Sequence, residues 1–103
     1  MSEITPIFST LADDPDLSEL VELYVEEMPD RVSQIRETLD DKQELLRLIH
    51  QVKGAAGSYG FEELSAEAGR HENEIKQTDD PSEIEKSVDN FIFQCERVTT
   101  GTP

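Results

Sequence analysis

The sequence predicts an all-α protein, an up-down antiparallel four-helix bundle. Apolar residues recur at the three- and four-residue spacing of a helix in four segments of the chain. Short polar connections with capping residues separate the segments, and none of them alternates apolar and polar residues as a half-buried strand does. Domains commonly have about 100–150 residues. We therefore interpret residues 1–103 as a single domain with its core at about 15–98 and with frayed ends.

The first helix is predicted from an apolar stripe that continues past a proline. The stripe consists of Leu17, Leu20, Val21, Tyr24, Met28, Val32, Ile35 and Leu39. Because proline removes one helical hydrogen bond and clashes with the preceding turn, we expect a kink or a brief break at Pro29. A short preliminary helical turn is expected at about residues 7–11, where it would cap one end of the bundle.

The second and third helices follow directly. Asp41 and Glu44 have the spacing of an N-cap and its reciprocal partner, so the second helix is expected to start there and to end around Gly60. Its buried stripe is Leu45, Leu48, Ile49, Val52, Ala56 and Tyr59. The stripe of the third helix is Phe61, Leu64, Ala68, His71 and Ile75, and the polar residues 77–80 end it.

The start of the fourth helix is marked by an N-cap at Asp80, a proline at the first helical position and a carboxylate at the third, Glu83. Its apolar residues form one narrow seam of Ile84, Val88, Phe91, Cys95 and Val98. Four such stripes can close on one another, which favours a bundle that is a monomer.

The charge and the cysteine content exclude several kinds of partner and site. The chain has 9 Lys plus Arg against 24 Asp plus Glu, a formal net charge of -15. Nucleic acids and anionic membrane surfaces bind clustered Lys and Arg, so neither is an expected partner. The lone Cys95 forms neither an internal disulfide nor a Cys-rich zinc site. Residues 1–11 contain no basic leader, and no apolar run reaches about 18 residues, so we expect a cytoplasmic location.

Residues 46–60 have a feature that a purely structural helix does not need. Gly54 and Gly57 lie inside the second predicted helix, where each glycine costs roughly 0.5–1 kcal/mol relative to alanine. At about 100° per residue, His50 points about 150° away from the apolar stripe. Both glycines and Lys53 lie within about 60° of His50 on the same wheel. The pattern predicts an exposed imidazole that the active site of another protein can approach.

The chemistry of these residues suits group transfer. A neutral imidazole is a good nucleophile near neutral pH because its unperturbed pKa is about 6.5. A phosphoryl group on His50 would bring close to two negative charges, and the ammonium of Lys53 would reduce the cost of placing them on an acidic surface.

The segment His50-Gln51-Val52-Lys53-Gly54-Ala55-Ala56-Gly57-Ser58-Tyr59-Gly60 resembles the signature of histidine-containing phosphotransfer (HPt) domains. The resemblance extends from about Leu17 to Val98 and implies a four-helix bundle of a two-component phosphorelay. Tyr-Gly-Phe at residues 59–61 is similar to the phosphotransfer domain of chemotaxis-type histidine kinases, in which a glutamate of the following helix bonds the histidine. The matching residue is Glu72, and Gly69 stands where that branch has a second histidine.

The resemblance implies a phosphocarrier rather than an enzyme. His50 would accept a phosphoryl group from a receiver-domain aspartate and pass it to another receiver aspartate, while Lys53 steadies the phosphoryl oxygens and Glu72 orients the imidazole. The expected partners are response-regulator receiver domains or a hybrid histidine kinase. They would dock on a surface of Gly54, Gly57, Arg47, Gln51 and Ser58. No cofactor or metal is expected on this chain, because the divalent cation would belong to the partner receiver.

Other interpretations stay open at this point. The chain could be the phosphoaccepting module of a larger histidine kinase, a bundle that binds receivers without accepting phosphate, or an acidic mimic of nucleic acid. Glu72 could be one more surface acid. His71 lies on an apolar stripe, which indicates a core or boundary histidine, and Cys95 fills a seam position, which indicates a packed thiol. The glycines do not follow the phosphate-loop pattern, so an ATP site is not supported.

Overall fold

The computed structural model describes residues 5–100 of the chain. Its elements, in chain order, are β1 (Ile7–Phe8), α1 (Ser18–Glu37), α2 (Lys42–Ser58), α3 (Glu62–Lys76), α4 (Pro81–Glu96) and β2 (Val98–Thr99). Helix α2 packs on α3, α3 packs on α4, and α1 closes the arrangement by contacting both α4 and α2. The predicted all-α four-helix bundle is confirmed.

The core is built from the apolar stripes of all four helices. Its fully buried side chains include Val21, Tyr24, Ile35, Leu45, Ile49, Leu64, Ile75, Val88, Phe91 and Ile92. The stripe predicted for α1 was wrong at Leu20, which is 44% exposed. Leu20 lies at the edge of that stripe, beyond the sector that α1 turns toward the other helices. None of the helices between residues 5 and 100 has both the length and the hydrophobicity that a membrane-spanning segment requires.

Helix α1 passes through Pro29 without a break, so the brief break that we gave as the alternative to a kink does not occur. Pro29 itself is exposed, while Met28 and Ile35 on either side of it are buried in the core. The lost hydrogen bond destabilises the helix locally. Packing of the buried face on both sides of the proline compensates for it, because tertiary burial supplies most of the stability of a helix in a protein.

The predicted helix starts are confirmed by the capping bonds. The carboxylate of Asp41 accepts a hydrogen bond from the backbone N–H of Glu44 at 3.2 Å. That of Asp80 accepts one from the backbone N–H of Ser82 at 2.9 Å. The carboxylate of Glu44 binds Arg47 at 2.9 Å instead of completing the expected reciprocal cap. These bonds satisfy N–H groups that lack a partner in the first turn of a helix.

The end of helix α2 is followed by a left-handed residue, Gly60, whose φ is 80°. The backbone N–H of Phe61 donates to the carbonyl of Ala56 at 2.8 Å, and that of Gly60 donates to Gly57 at 3.3 Å. These two bonds form a Schellman motif, in which glycine adopts the left-handed conformation at little cost. The motif reverses the chain sharply, so α3 begins beside the end of α2.

The predicted helical turn at residues 7–11 was wrong. Ile7 and Phe8 form a short strand that pairs in parallel with Val98 and Thr99. Ile7 is buried, so the core begins well before the predicted boundary at about residue 15. Local periodicity carries no sign of this pairing, because its two strands are about ninety residues apart in the chain. Thr99, close to one of the ends that we expected to be frayed, pairs with Phe8 in this sheet, while residues 1–4 and 101–103 lie outside the described residues.

Candidate functional site

The imidazole of His50 stands on the outer side of α2, away from the face that packs into the core. Its side chain is 69% exposed, which confirms the orientation predicted from the helical wheel. Gly54 and Gly57, one and two turns later, are also exposed. A Cβ atom added at Gly54 would meet no atom within 4 Å outside its own helix turn. The surface beside His50 is therefore open to a large partner.

The carboxylate of Glu72, on α3, contacts this imidazole. Its Oε2 atom lies 3.1 Å from Nδ1 of His50, and Glu72 is only 7% exposed. A carboxylate accepts hydrogen bonds, so this contact favours the tautomer in which Nδ1 carries the proton and donates to Glu72. The lone pair is then on Nε2, the ring nitrogen that does not contact Glu72.

Two lysines share the same carboxylate. The Nζ atom of Lys53 lies 4.0 Å from Oε1 of Glu72, and Nζ of Lys76 lies 3.7 Å from Oε2. Both lysine side chains are about half exposed, whereas Glu72 is nearly buried. The two ammonium groups and the ring N–H of His50 replace the interactions with water that the carboxylate loses on burial. Lys76 was not predicted from the sequence, although it lies one turn after Glu72 on α3.

A hydrogen bond between helices holds α2 against α3 next to this cluster. The hydroxyl of Ser65 donates to the backbone carbonyl of Lys53 at 2.9 Å. An added Cβ atom at Gly57 would stand 3.4 Å from the same hydroxyl oxygen. Ser65, Gly69 and Glu72 recur at helical spacing on α3, and each of them lies next to a residue of α2. That spacing was the available signal for Ser65, which the sequence reasoning missed.

A family model for the Hpt domain matches residues 19–98, a range that contains nearly all of the four helices. The chain belongs to the Hpt domain family. Hpt domains take part in histidine phosphotransfer in two-component signalling and interact with receiver domains or histidine kinases in phosphorelays. They are phosphocarrier modules rather than catalytic kinases. The comparison with curated proteins and the comparison with solved structures each gave no match.

In this Hpt domain the remaining residues of the predicted docking surface also lie on the outer side of α2. Arg47, Gln51 and Ser58 are all exposed, as are the two glycines. Arg47 is bound in its own helix by both carboxylate oxygens of Glu44, and this pairing raises the pKa of the guanidinium. The positive charge of Arg47 is therefore offset locally. Lys53 and Lys76 place positive charge at Glu72, the carboxylate that contacts His50.

His71, the other histidine of this chain, is buried in the core. His71 is 1% exposed, and its Nδ1 atom lies 2.8 Å from the hydroxyl of Ser87 and 3.0 Å from Oε1 of Glu74. Burial lowers the pKa of His71, and the neighbouring Arg70 lowers it further. This confirms the prediction of a core histidine on the α3 stripe.

Cys95 is fully buried, as predicted for a packed thiol. Burial raises the pKa of the thiol to about 12, so the reactive thiolate is suppressed at neutral pH. Among residues 5–100, no group of three or more His, Cys, Asp or Glu side chains is arranged to hold a metal ion.

Proposed function

We propose that this chain is a histidine phosphocarrier and that His50 is the residue that carries the phosphoryl group. The observation that supports this most directly is the exposed imidazole whose Nδ1 is engaged by a nearly buried carboxylate, in a chain of the Hpt family. The side chain with a free nucleophilic nitrogen is thereby held in one orientation on an open surface.

In the proposed reaction, Nε2 of His50 attacks the phosphorus of an aspartyl phosphate on a receiver domain. The N–P bond forms while the bond from phosphorus to the aspartate oxygen breaks, so the aspartate leaves as a carboxylate. The ring keeps the proton on Nδ1 and becomes positively charged, and the adjacent carboxylate of Glu72 stabilises that charge. Attack by the aspartate of a second receiver on the phosphohistidine reverses these steps.

Lys53 has the position and charge to stabilise the transferred group. Its ammonium contacts the same carboxylate as His50 and is about half exposed, so it can turn toward phosphoryl oxygens on Nε2. A phosphoryl group adds close to two negative charges. On a chain with a net charge of -15, a nearby cation lowers the free energy of the phosphorylated form.

We further propose that receiver domains dock on the outer side of α2, around Gly54, Gly57, Arg47, Gln51 and Ser58. The divalent cation for transfer would be supplied by the receiver, and the carrier would contain no ATP site and perform no kinase reaction of its own. We expect it to act in the cytoplasm as a monomer, since the apolar stripes of α1 to α4 share one core.

The test is to mix the protein with a phosphorylated receiver and to follow label that is acid-labile and alkali-stable, as a phosphohistidine is. We expect wild-type protein to accept label and His50→Gln to accept none. His71→Gln is the matched control, because His71 is buried and should not be labelled. Labelling of His50→Gln would contradict the assignment of the site. A wild-type protein that binds the receiver without accepting label would instead be a receiver-binding module.

A further inference from the structure

Gly69 on α3 lies directly beside the side chain of Lys53 on α2. A Cβ atom added at Gly69 would stand 3.5 Å from Cε and 3.6 Å from Nζ of Lys53. Gly69 is inside a helix, where glycine costs about 1 kcal/mol relative to alanine. Its φ is not positive, so the backbone conformation does not require glycine. The close approach of the lysine is the feature of this position that depends on the absence of a larger side chain.

We propose that Gly69 is a positioning residue that seats Lys53 against α3. The bare backbone at Gly69 leaves room for the end of the lysine stem, and the ammonium then lies 4.0 Å from Oε1 of Glu72. Because the same carboxylate binds Nδ1 of His50, this seat holds the cation next to the reacting ring. The inference rests on the function proposed for His50 and assigns Gly69 an effect that acts through Lys53.

The distances set a limit on the side chain that position 69 tolerates. A methyl group 3.5 Å from Cε is in ordinary van der Waals contact, so alanine should leave the lysine where it is. A residue with further carbon atoms must compete with Cε and Nζ for the same space. Lys53 is half exposed, so its ammonium can move into solvent, where its interaction with Glu72 and with a phosphoryl group is weaker.

The first experiment compares rates of transfer from a phosphorylated receiver to Gly69→Ala and Gly69→Leu. We expect Gly69→Ala to stay within about twofold of wild type and Gly69→Leu to lose roughly tenfold, since misplacing a catalytic group costs up to about 100-fold. The control is Ala66→Leu, which places the same leucine side chain at an exposed position of α3. Transfer to Gly69→Leu at the wild-type rate would contradict only the role proposed for Gly69. If the wild-type protein accepted no phosphoryl group, the function proposed for His50 would be contradicted.

The second experiment separates positioning of Lys53 from obstruction of the receiver. Lys53→Ala should itself slow transfer, and adding Gly69→Leu to it should cause no further loss, because the two changes remove the same interaction. If the two losses multiply, Gly69 acts independently of Lys53 and the inference is wrong. Receiver affinity, measured in parallel, should be the same for Gly69→Leu and Gly69→Ala.

A third measurement needs no partner and remains informative if Gly69→Leu fails to fold. In the wild-type protein, nuclear Overhauser contacts should join the α-protons of Gly69 to the ε-protons of Lys53. They should persist in Gly69→Ala through the alanine methyl group. Their absence from the folded wild-type protein would overturn the proposed seat.

Discussion

His50 and Glu72 show how much the environment of a single residue decides. The chain contains 24 acidic residues, and most of the described ones lie on the surface. Glu72 is 7% exposed, contacts the ring of His50 and has two lysines around it. A carboxylate in this position can hold a tautomer and stabilise positive charge on the ring, which a solvated carboxylate does weakly.

We expect Glu72→Ala to slow phosphoryl transfer to His50 by roughly tenfold, or about 1.4 kcal/mol in the barrier, while the bundle stays folded. The rate for Glu72→Gln should fall between those of wild type and Glu72→Ala, because the glutamine amide oxygen can still accept a hydrogen bond from the Nδ1–H group but carries no charge. Single-turnover transfer rates with circular dichroism spectra test this. Asn73→Ala, at the exposed neighbouring position, is the control. Equal rates for all variants would make Glu72 a structural acid.

Protonation of His71 should lower the free energy of unfolding as the pH falls. Its pKa is lowered in the folded state, so the unfolded chain takes up a proton at a higher pH than the native protein does. The stability that comes from neutral His71 is complete above about pH 6.5. It is then lost as the pH falls through the folded-state pKa, with a slope of at most about 1.4 kcal/mol per pH unit.

Urea midpoints at pH 7.5, 6.5 and 5.5 for wild type and His71→Gln measure this contribution. The wild-type midpoint should fall more steeply than that of the variant. Parallel pH profiles would show that His71 is not the responsible group, since the carboxylates common to both proteins contribute equally to each.

At the scale of the element, α2 combines a regular buried face with an outer face that contains two glycines. The buried face, with Leu45, Ile49, Val52 and Ala56, packs as in any helix of a bundle. The outer face gives up helix propensity at Gly54 and Gly57, and the space above Gly54 is empty. A helix selected for stability alone would have alanine at both positions.

Gly54→Ala should therefore raise the free energy of unfolding by up to about 1 kcal/mol, because alanine has the higher helix propensity and meets no clash. Gly57→Ala should gain less, since its methyl group would touch Ser65. Urea titration measures both changes. A loss of stability in Gly54→Ala would show that the open surface is an incorrect description of this face.

The same glycine tests the docking surface. Gly54→Glu should weaken receiver binding by at least tenfold, since it adds bulk and negative charge beside His50. The bundle should stay folded, because the new side chain points into open space. Isothermal titration with a receiver measures the affinity, and Gly54→Ala serves as the control for the loss of glycine. Unaltered affinity in Gly54→Glu would exclude this face of α2 as the docking site.

At the scale of the whole molecule, the two ends of the described chain close on each other. Strands β1 and β2 pair in parallel, and the backbone N–H of Ile7 donates to the carbonyl of Arg97 at 2.7 Å. The loop after β1 then reaches the end of α2, where Thr10 N–H donates to the carbonyl of Gly60 at 3.0 Å. The N-terminal segment thus ties α4 to the turn between α2 and α3.

Ile7→Ala should lower the free energy of unfolding by about 2–3 kcal/mol, in the range for removing a buried isoleucine side chain. Leu23→Ala, at a 48% exposed position, should change it by less than about 0.5 kcal/mol. Transfer to His50, measured well below the unfolding transition, should be the same in both variants. Chemical denaturation provides the free energies, and an unchanged free energy of unfolding in Ile7→Ala would mean that burial of the Ile7 side chain adds no stability.

The sequence by itself determined the four helices, two of their N-caps and the outward orientation of His50. These features depend on interactions within a few residues, such as the bond from Asp41 to Glu44 and the spacing of Leu45, Ile49 and Val52. Family resemblance added Glu72 as a partner of His50. In the structure, Oε2 of Glu72 lies 3.1 Å from Nδ1 of His50.

The tertiary structure decided what depends on residues far apart in the chain. The pairing of Ile7 with Val98, the unbroken course of α1 through Pro29 and the approach of Lys53 to Gly69 each follow from packing between elements. The strand pair and the approach of Lys53 to Gly69 leave no periodic pattern in the chain, because the contacting residues belong to different elements. At Pro29 the apolar stripe does continue, and packing on both sides of the proline decides that the helix continues with it. The charge around Glu72 is the clearest case. Lys53 of α2 and Lys76 of α3 both lie at this carboxylate, which also contacts His50 of α2.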